Sequence, residues 1–242
     1  MATHVLLNNV EHKDLKVITT RSAEYGDNVQ YAITFSWEFR SIQAHYPILF
    51  RKGVEIGEFT SVALFGFDEN ENLYLNDSGW DANYVPLTVE QQPFLIGFQQ
   101  SASGSDAATE PVIHVDMDSP RISDSEGQAV FEAHGGISPY LDRINSVLNT
   151  INEGYSVHQL FIRELVEHGL LETVAVDIEL NNGSQNRLMG FYTINEEALY
   201  DLGGDVLGSL NEKGFLEPIY MAMASLSNMR TLIDRKNAQL ER

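Results

Sequence analysis

The sequence predicts an α+β fold, with a mainly antiparallel sheet in the N-terminal half and a helical C-terminal half containing one β-hairpin. Three features predict it. Before residue 123 the apolar residues come in short runs broken by glycines and acidic turns, as strands do. After residue 139 they recur every three or four positions, as helices require. Between those helices Val174, Val176, Ile178 and Leu180 alternate with Asp177 and Glu179, a strand with one wet face. This order does not alternate as a doubly wound sheet would. The expected parts are a strand-rich 1–122, a loop at 123–139 and a helical 140–242 with its hairpin, packed as one integrated unit.

Element by element, Phe35, Phe39, Ile42 and Tyr46 recur at helical spacing behind a Ser36 cap, with Glu38 in the first turn. Pro47 stops that helix by driving Tyr46 towards extended geometry. Ile48 to Phe50, Ser61 to Phe67 and Asn72 to Leu75 read as strands, separated by Gly53, Gly57 and Asp68-Glu69-Asn70-Glu71. Asn76-Asp77-Ser78-Gly79 is a turn. Phe94 to Phe98 and Val112 to Val115 are further strands, and the small, polar run Ser101 to Ala108 between them is a flexible surface loop. The stretch from Ser123 to Pro139 is loop-rich.

Beyond it, Tyr140, Ile144, Val147, Leu148 and Ile151 form one apolar stripe. Val157, Leu160, Phe161, Leu165 and Val166 form another, closed by Gly169. Asn181-Asn182-Gly183 turns the alternating strand back into Leu188 to Ile194. Thr193 and Glu196 have capping-box spacing for a short helix. The last helix, from about Glu217, carries Ile219, Tyr220, Met223, Leu226, Met229 and Ile233 at its apolar positions, with Pro218 in its first turn. Gly135-Gly136 and Gly203-Gly204 read as isolated turns.

The 242 residues hold 15 basic against 35 acidic side chains, a formal net charge of -20. Such a field repels phosphate backbones and anionic lipid, so nucleic acid is excluded as a partner. The densest basic stretch, Arg230, Arg235, Lys236 and Arg242, reads as a solvated helix end favoured by the helix dipole. With no cysteine, disulfides, thiolate metal sites and cysteine nucleophiles are absent. The N-terminus lacks a basic start followed by an apolar core, so no Sec-type signal is expected. No apolar run approaches the ~20 residues of a membrane span. A soluble, cytoplasmic protein is the expectation, with surface association by a non-Sec route as the alternative.

Three clusters offer chemistry. His45-Tyr46-Pro47 places an imidazole where a helix meets a strand, as a base or ligand. The structural alternative is a helix end in which Tyr46 packs and His45 caps the last carbonyls. Trp80-Asp81-Ala82-Asn83-Tyr84-Val85-Pro86 can line a ligand groove, since rigid rings offer area at small entropic cost, or can be a loop pinned by Trp80 and Tyr84. Asp116 and Asp118, followed by Arg121, suit a cation or an acid–base pair. The structural alternative, which an Asp-x-Asp pair by itself favours, is a carboxylate that pairs Arg121 or caps the turn before Pro120. A calcium loop starting at Asp116 would need glycine where Arg121 stands and glutamate where Gly127 stands. No hydrolase elbow, Walker loop or His-Glu-x-x-His helix occurs.

Several of these segments, in order, resemble the SapC family: Ala44-His45-Tyr46-Pro47-Ile48, Ser61 to Gly66, Asn72-Leu73-Tyr74 and Gly79 to Pro86. Gln92-Pro93-Phe94, Asp116 to Arg121 and Gly190 to Glu197 with Leu199 complete the likeness, which covers nearly the whole chain. The family takes its name from a surface-layer-associated bacterial gene product. An unrelated peptide-transporter permease shares the label, and a chain without membrane spans does not match it. The resemblance carries over no catalytic residue.

The resulting expectation is a non-enzymatic binding or assembly protein with a protein, peptide or glycan partner, compatible with a homo-oligomer. It needs no cofactor and no metal. Its candidate ligand-binding residues are His45, Tyr46, Trp80, Asp81, Tyr84, Asp116, Asp118 and Arg121. The alternatives are a metal-dependent hydrolase or transferase using Asp116 and Asp118 with His45 or His114, and a self-assembling surface-layer component.

Overall fold

The computed structural model describes residues 3–53, 58–100 and 109–241. The Ser101 to Ala108 run, Gly57 and Arg242 lie outside those residues. In chain order the first elements are β1 (His4–Leu6), β2 (Lys16–Val17), β3 (Tyr31–Ile33), α1 (Phe39–Ile42), β4 (Ile48–Lys52) and β5 (Phe59–Leu64). Then come β6 (Leu75–Asn76), β7 (Gly79–Trp80), α2 (Leu87–Glu90), β8 (Phe94–Gln100), β9 (Thr109–Asp116), β10 (Ile122–Ser123) and β11 (Gln128–Ala129). The remainder holds α3 (Pro139–Glu167), the hairpin β12 (Leu171–Glu179) and β13 (Gln185–Ile194), α4 (Glu196–Tyr200), α5 (Gly204–Glu212), α6 (Leu216–Ser225) and α7 (Asn228–Leu240). Every strand pairing among the described residues is antiparallel. The fold is α+β, with short antiparallel strands early and most of the helix late.

The chain divides into two compact units, each built from two stretches: Met1–Asp27 with Leu87–Glu153, and Asn28–Pro86 with Gly154–Arg242. In the first, β1, β9 and β8 make one sheet, and β10, β2 and β11 make a small second one. Alternation sends Phe94 and Val115, which face each other in register, into a core with Leu15, Val17, Val130 and Ile144. Each fully buried side chain of this size contributes about 1.5–3 kcal/mol.

The second unit is organised on a five-stranded sheet in the order β12-β13-β4-β5-β3. Phe39, Phe161 and Phe215 stack edge to face beside it, with ring centroids 5.9 and 5.6 Å apart. This geometry favours the aromatic quadrupoles. The hairpin forms as the alternation predicts, its loop turning at Gly183 (φ +80°). Gly169 ends α3 in the left-handed conformation (φ +63°), and Leu170 N–H reaches back to the Leu165 carbonyl, as a helix-terminating glycine should.

Six local expectations are corrected. Ser36 does not cap α1: its backbone N–H donates to His158 Nδ1 (3.1 Å), and the helix starts only at Phe39. Asn72 to Tyr74 is not strand, because Asn72 Oδ1 accepts the Tyr74 N–H (3.0 Å) and bends the chain. α4 is capped by Asn195, whose Oδ1 accepts Ala198 N–H (2.9 Å), and not by Thr193. The two apolar stripes belong to one continuous helix, α3, whose second stretch buries His158, Phe161, Ile162 and Leu165 while Val157 and Leu160 stay exposed. The last helix is two, α6 and α7, and Gly203-Gly204 opens α5, with Gly203 as its cap.

Candidate functional site

In the second unit, five of the predicted residues gather around one aromatic cluster. Tyr46, fully buried, meets Tyr74 at 4.7 Å and Phe65 at 5.2 Å between ring centroids, and Phe65 meets Trp80 at 5.1 Å. The polar atoms of these rings are satisfied internally. Trp80 Nε1 donates to Tyr46 Oη (2.7 Å), Tyr46 Oη donates to the Tyr84 carbonyl, and Tyr74 Oη donates to the His45 carbonyl (2.7 Å). Burial pushes the Tyr46 hydroxyl well above its ordinary pKa and that of Tyr74 to about 12. Both therefore stay protonated and donating. Tyr84 Oη donates to Glu38 Oε1 (2.9 Å), a buried carboxylate that also accepts from Thr34 Oγ1 (2.8 Å). These bonds lock the loop carrying Trp80, Asp81 and Tyr84 onto the start of α1.

Over this cluster lies a cleft of about 420 Å³, lined among others by His45, Tyr74, Trp80, Asn83, Asn228 and Arg235. Its size is that of a ligand pocket, about 300–1,000 Å³. A smaller cavity of about 250 Å³ adjoins it, lined by Leu75, Asn76 and Gln239, with Asp81 and Arg235 common to both. Arg235, on α7, donates through Nη1 to Asp81 Oδ2 (2.7 Å) and through Nη2 to the Asp81 carbonyl (3.0 Å). Its guanidinium also sits 4.5 Å from the centre of the Tyr74 ring, a cation–π contact. The neighbouring Lys236 bonds Asp68 Oδ2 (2.9 Å) and Glu71 Oε1, which outweigh its burial and hold its pKa above the ordinary value. The basic end of α7 is thus not simply solvated. It anchors the helix against the acidic turn and places Arg235 in the cleft wall.

Sequence reasoning missed Arg235, Tyr74, Asn228 and Thr231 as members of this site. A basic pair on a late helix and an acidic, aromatic loop far upstream were the available signals. His45 does not cap carbonyls through its ring, which packs edge-on to Tyr46 at 5.9 Å.

The other three predicted residues lie in the first unit, where they serve a turn. Asp116 Oδ1 accepts Asp118 N–H (3.1 Å), and Asp118 Oδ2 accepts Thr3 Oγ1 (2.8 Å). Arg121, with 1% of its surface exposed, donates to the Ile18 and Thr20 carbonyls (2.9 and 3.0 Å) and pairs with buried Asp27 (2.5 Å). Arg21 pairs with the same carboxylate (3.2 Å). Burial and the charge of Arg121 lower the Arg21 pKa, against the pull of Asp27. Arg121 is a staple, spent on its own unit. Among the described residues no three histidine, aspartate or glutamate side chains are grouped to hold a metal ion.

Among the described residues one serine–histidine side-chain contact occurs, between Ser61 Oγ and His158 Nε2 (3.3 Å), and both residues are buried. Ser61 Oγ donates its own proton to the Thr34 carbonyl (2.6 Å), and His158 Nδ1 accepts from Ser36 N–H. The serine is neither reachable nor activated.

Among the described residues no helix is long and apolar enough to cross a membrane. No match was found among curated proteins or among solved structures. The model of one protein family, SapC, does match. Since that match runs over residues 7–232 of the 242, the chain belongs to the SapC family.

Proposed function

We propose that this SapC-family chain is a non-enzymatic binding protein whose recognition surface is the cleft between Trp80, Asp81 and Arg235. The observation that carries this reading is the state of the ionisable groups around the aromatic floor. Asp81 and Arg235 neutralise each other, the buried tyrosines are held protonated, and among the described residues the bonded Ser61–His158 side-chain pair is buried and not part of the cleft lining. Such an arrangement offers a shaped, rigid surface and no group poised to move a proton. A peptide or glycan is the partner it suits.

The absence of cysteine makes the test direct. Ala238→Cys, on the exposed rim of the smaller cavity, takes a single environment-sensitive fluorophore. A saturable signal with pooled tetrapeptides or oligosaccharides, lost in Arg235→Ala, supports the reading. Turnover of ester or phosphomonoester substrates, with or without added divalent ions, that disappears in Asp118→Ala or His45→Ala would overturn it.

A further inference from the structure

We infer that the cleft binds a neutral saccharide, and that its two cavities, meeting at the Asp81–Arg235 pair, are adjoining subsites for successive sugar units. This deepens the binding reading above and rests on it. A sugar unit presents a ring of hydroxyls, each both donor and acceptor, around an apolar C–H face. It is best met by planar groups that donate and accept in pairs, set beside an aromatic surface. The larger cavity supplies the Asn83 amide, the Asn228 Oδ1 and the Thr231 hydroxyl beside the half-buried Trp80 ring; Asn228 Nδ2 itself donates to the Gln43 carbonyl (2.8 Å). The smaller one supplies Gln239 and the Asn76 Nδ2, the Asn76 Oδ1 being taken by the Ser78 N–H (2.8 Å) and Oγ (2.6 Å). Among the described residues neither Asn83 nor Thr231 spends its side chain on an internal hydrogen bond, and both are exposed. The carboxylate and guanidinium shared by both cavities have fixed orientations, because Arg235 is held by the side chain and backbone of Asp81, the Leu73 carbonyl (3.5 Å) and the Tyr74 ring.

The competing ligand classes fit less well. A helical peptide would need an apolar groove and an extended one a long open strand edge. Here the aliphatic lining is Leu73, which is buried, Leu75 and the small side chains of Ala44, Ala82 and Ala238, and the local strands β6 and β7 are two residues each. An anionic glycan would meet a chain of net charge -20 and an arginine already neutralised by Asp81.

The test is calorimetric titration of the full chain with maltotetraose, cellotetraose and triacetylchitotriose, alongside trigalacturonate and a set of random tetrapeptides. At least one neutral sugar should bind saturably. The double substitution Asn83→Ala, Thr231→Ala should weaken it about tenfold, as expected for losing two hydrogen-bonding partners, with no change in melting temperature. Sugar binding indifferent to that substitution, or tighter binding of trigalacturonate, overturns the proposal. Saturable tetrapeptide binding that the same substitution weakens, with no neutral sugar bound, refutes the saccharide class and leaves the cleft a binding site. If no probe saturates, both readings fall.

Discussion

Acidifying the protein should expose the cost of its buried histidine. His158 is 2% exposed, and its two nitrogens have opposite assignments. A backbone N–H can only donate, so Nδ1, which faces Ser36 N–H, must carry the lone pair. Nε2 faces a Ser61 hydroxyl whose proton goes to the Thr34 carbonyl, so Nε2 carries the hydrogen. Protonating Nδ1 would set two donors against each other in a buried site. Burial accordingly lowers the pKa from 6.5 to about 4.

Unfolding releases the imidazole to titrate normally. Above pH 6.5 it is neutral in both states and contributes no pH dependence. As pH falls from 6.5 towards 4 only the unfolded chain takes up the proton, and stability drops by about 1.4 kcal/mol per pH unit. By pH 4 the accumulated loss is roughly 3 kcal/mol. Urea unfolding of the wild type and of His158→Gln, each followed between pH 7.5 and 4.5, separates this contribution from that of the carboxylates common to both. The wild type should lose stability more steeply below pH 6.5, with the largest difference near pH 4.5. A ring whose carbon-bound protons titrate by NMR at or above pH 6.5 in the folded protein would refute the reasoning. So would two parallel stability curves.

Other perturbations have equally definite outcomes. Arg121→Met removes the closest charged partner of the buried Asp27 carboxylate, which keeps Arg21 and the Ser22 N–H among its partners, and should cost about 3–5 kcal/mol in denaturant unfolding. Gly154→Ala should destabilise although alanine is the better helix former by about 1 kcal/mol, because a Cβ there runs into the Trp37 indole nitrogen; Trp37→Leu in the same chain should restore the ordinary gain. Tyr46→Phe deletes the acceptor of Trp80 and the donor to Tyr84, at about 1–3 kcal/mol, and should shift the Trp80 emission. Arg235→Ala should move the melting temperature little, since Asp81 is largely exposed and such pairs contribute about 0–1 kcal/mol.

Much of the local structure was legible because side-chain alternation reports backbone period directly. The hairpin of Leu171–Glu179 and Gln185–Ile194 follows from it, while the strands at Ile48–Lys52, Phe94–Gln100 and Thr109–Asp116 follow from short apolar runs, Ile48–Phe50, Phe94–Phe98 and Val112–Val115. Two-residue strands such as Lys16–Val17 carry no period to read, and exist because Ile122–Ser123 and Gln128–Ala129 flank them. Side-chain caps were misplaced for a related reason. Ser36, Asn72 and Asn195 compete for nearby backbone groups, and tertiary partners decide the outcome: His158 claims the Ser36 N–H, while Asn195 takes the cap.

The sequence by itself determined the fold class, the family and the aromatic, acidic character of the Trp80–Pro86 loop, because each is a property of residues near one another in the chain. Tertiary structure alone decided the partners. Arg235 closes the cleft against Asp81, 154 residues away, and Arg121 is bound to Asp27, 94 residues away. Charge and spacing say that an arginine will seek a carboxylate. Which carboxylate, and whether the pair lines a cleft or staples a turn, depends on where strand register and helix packing bring two distant backbones together.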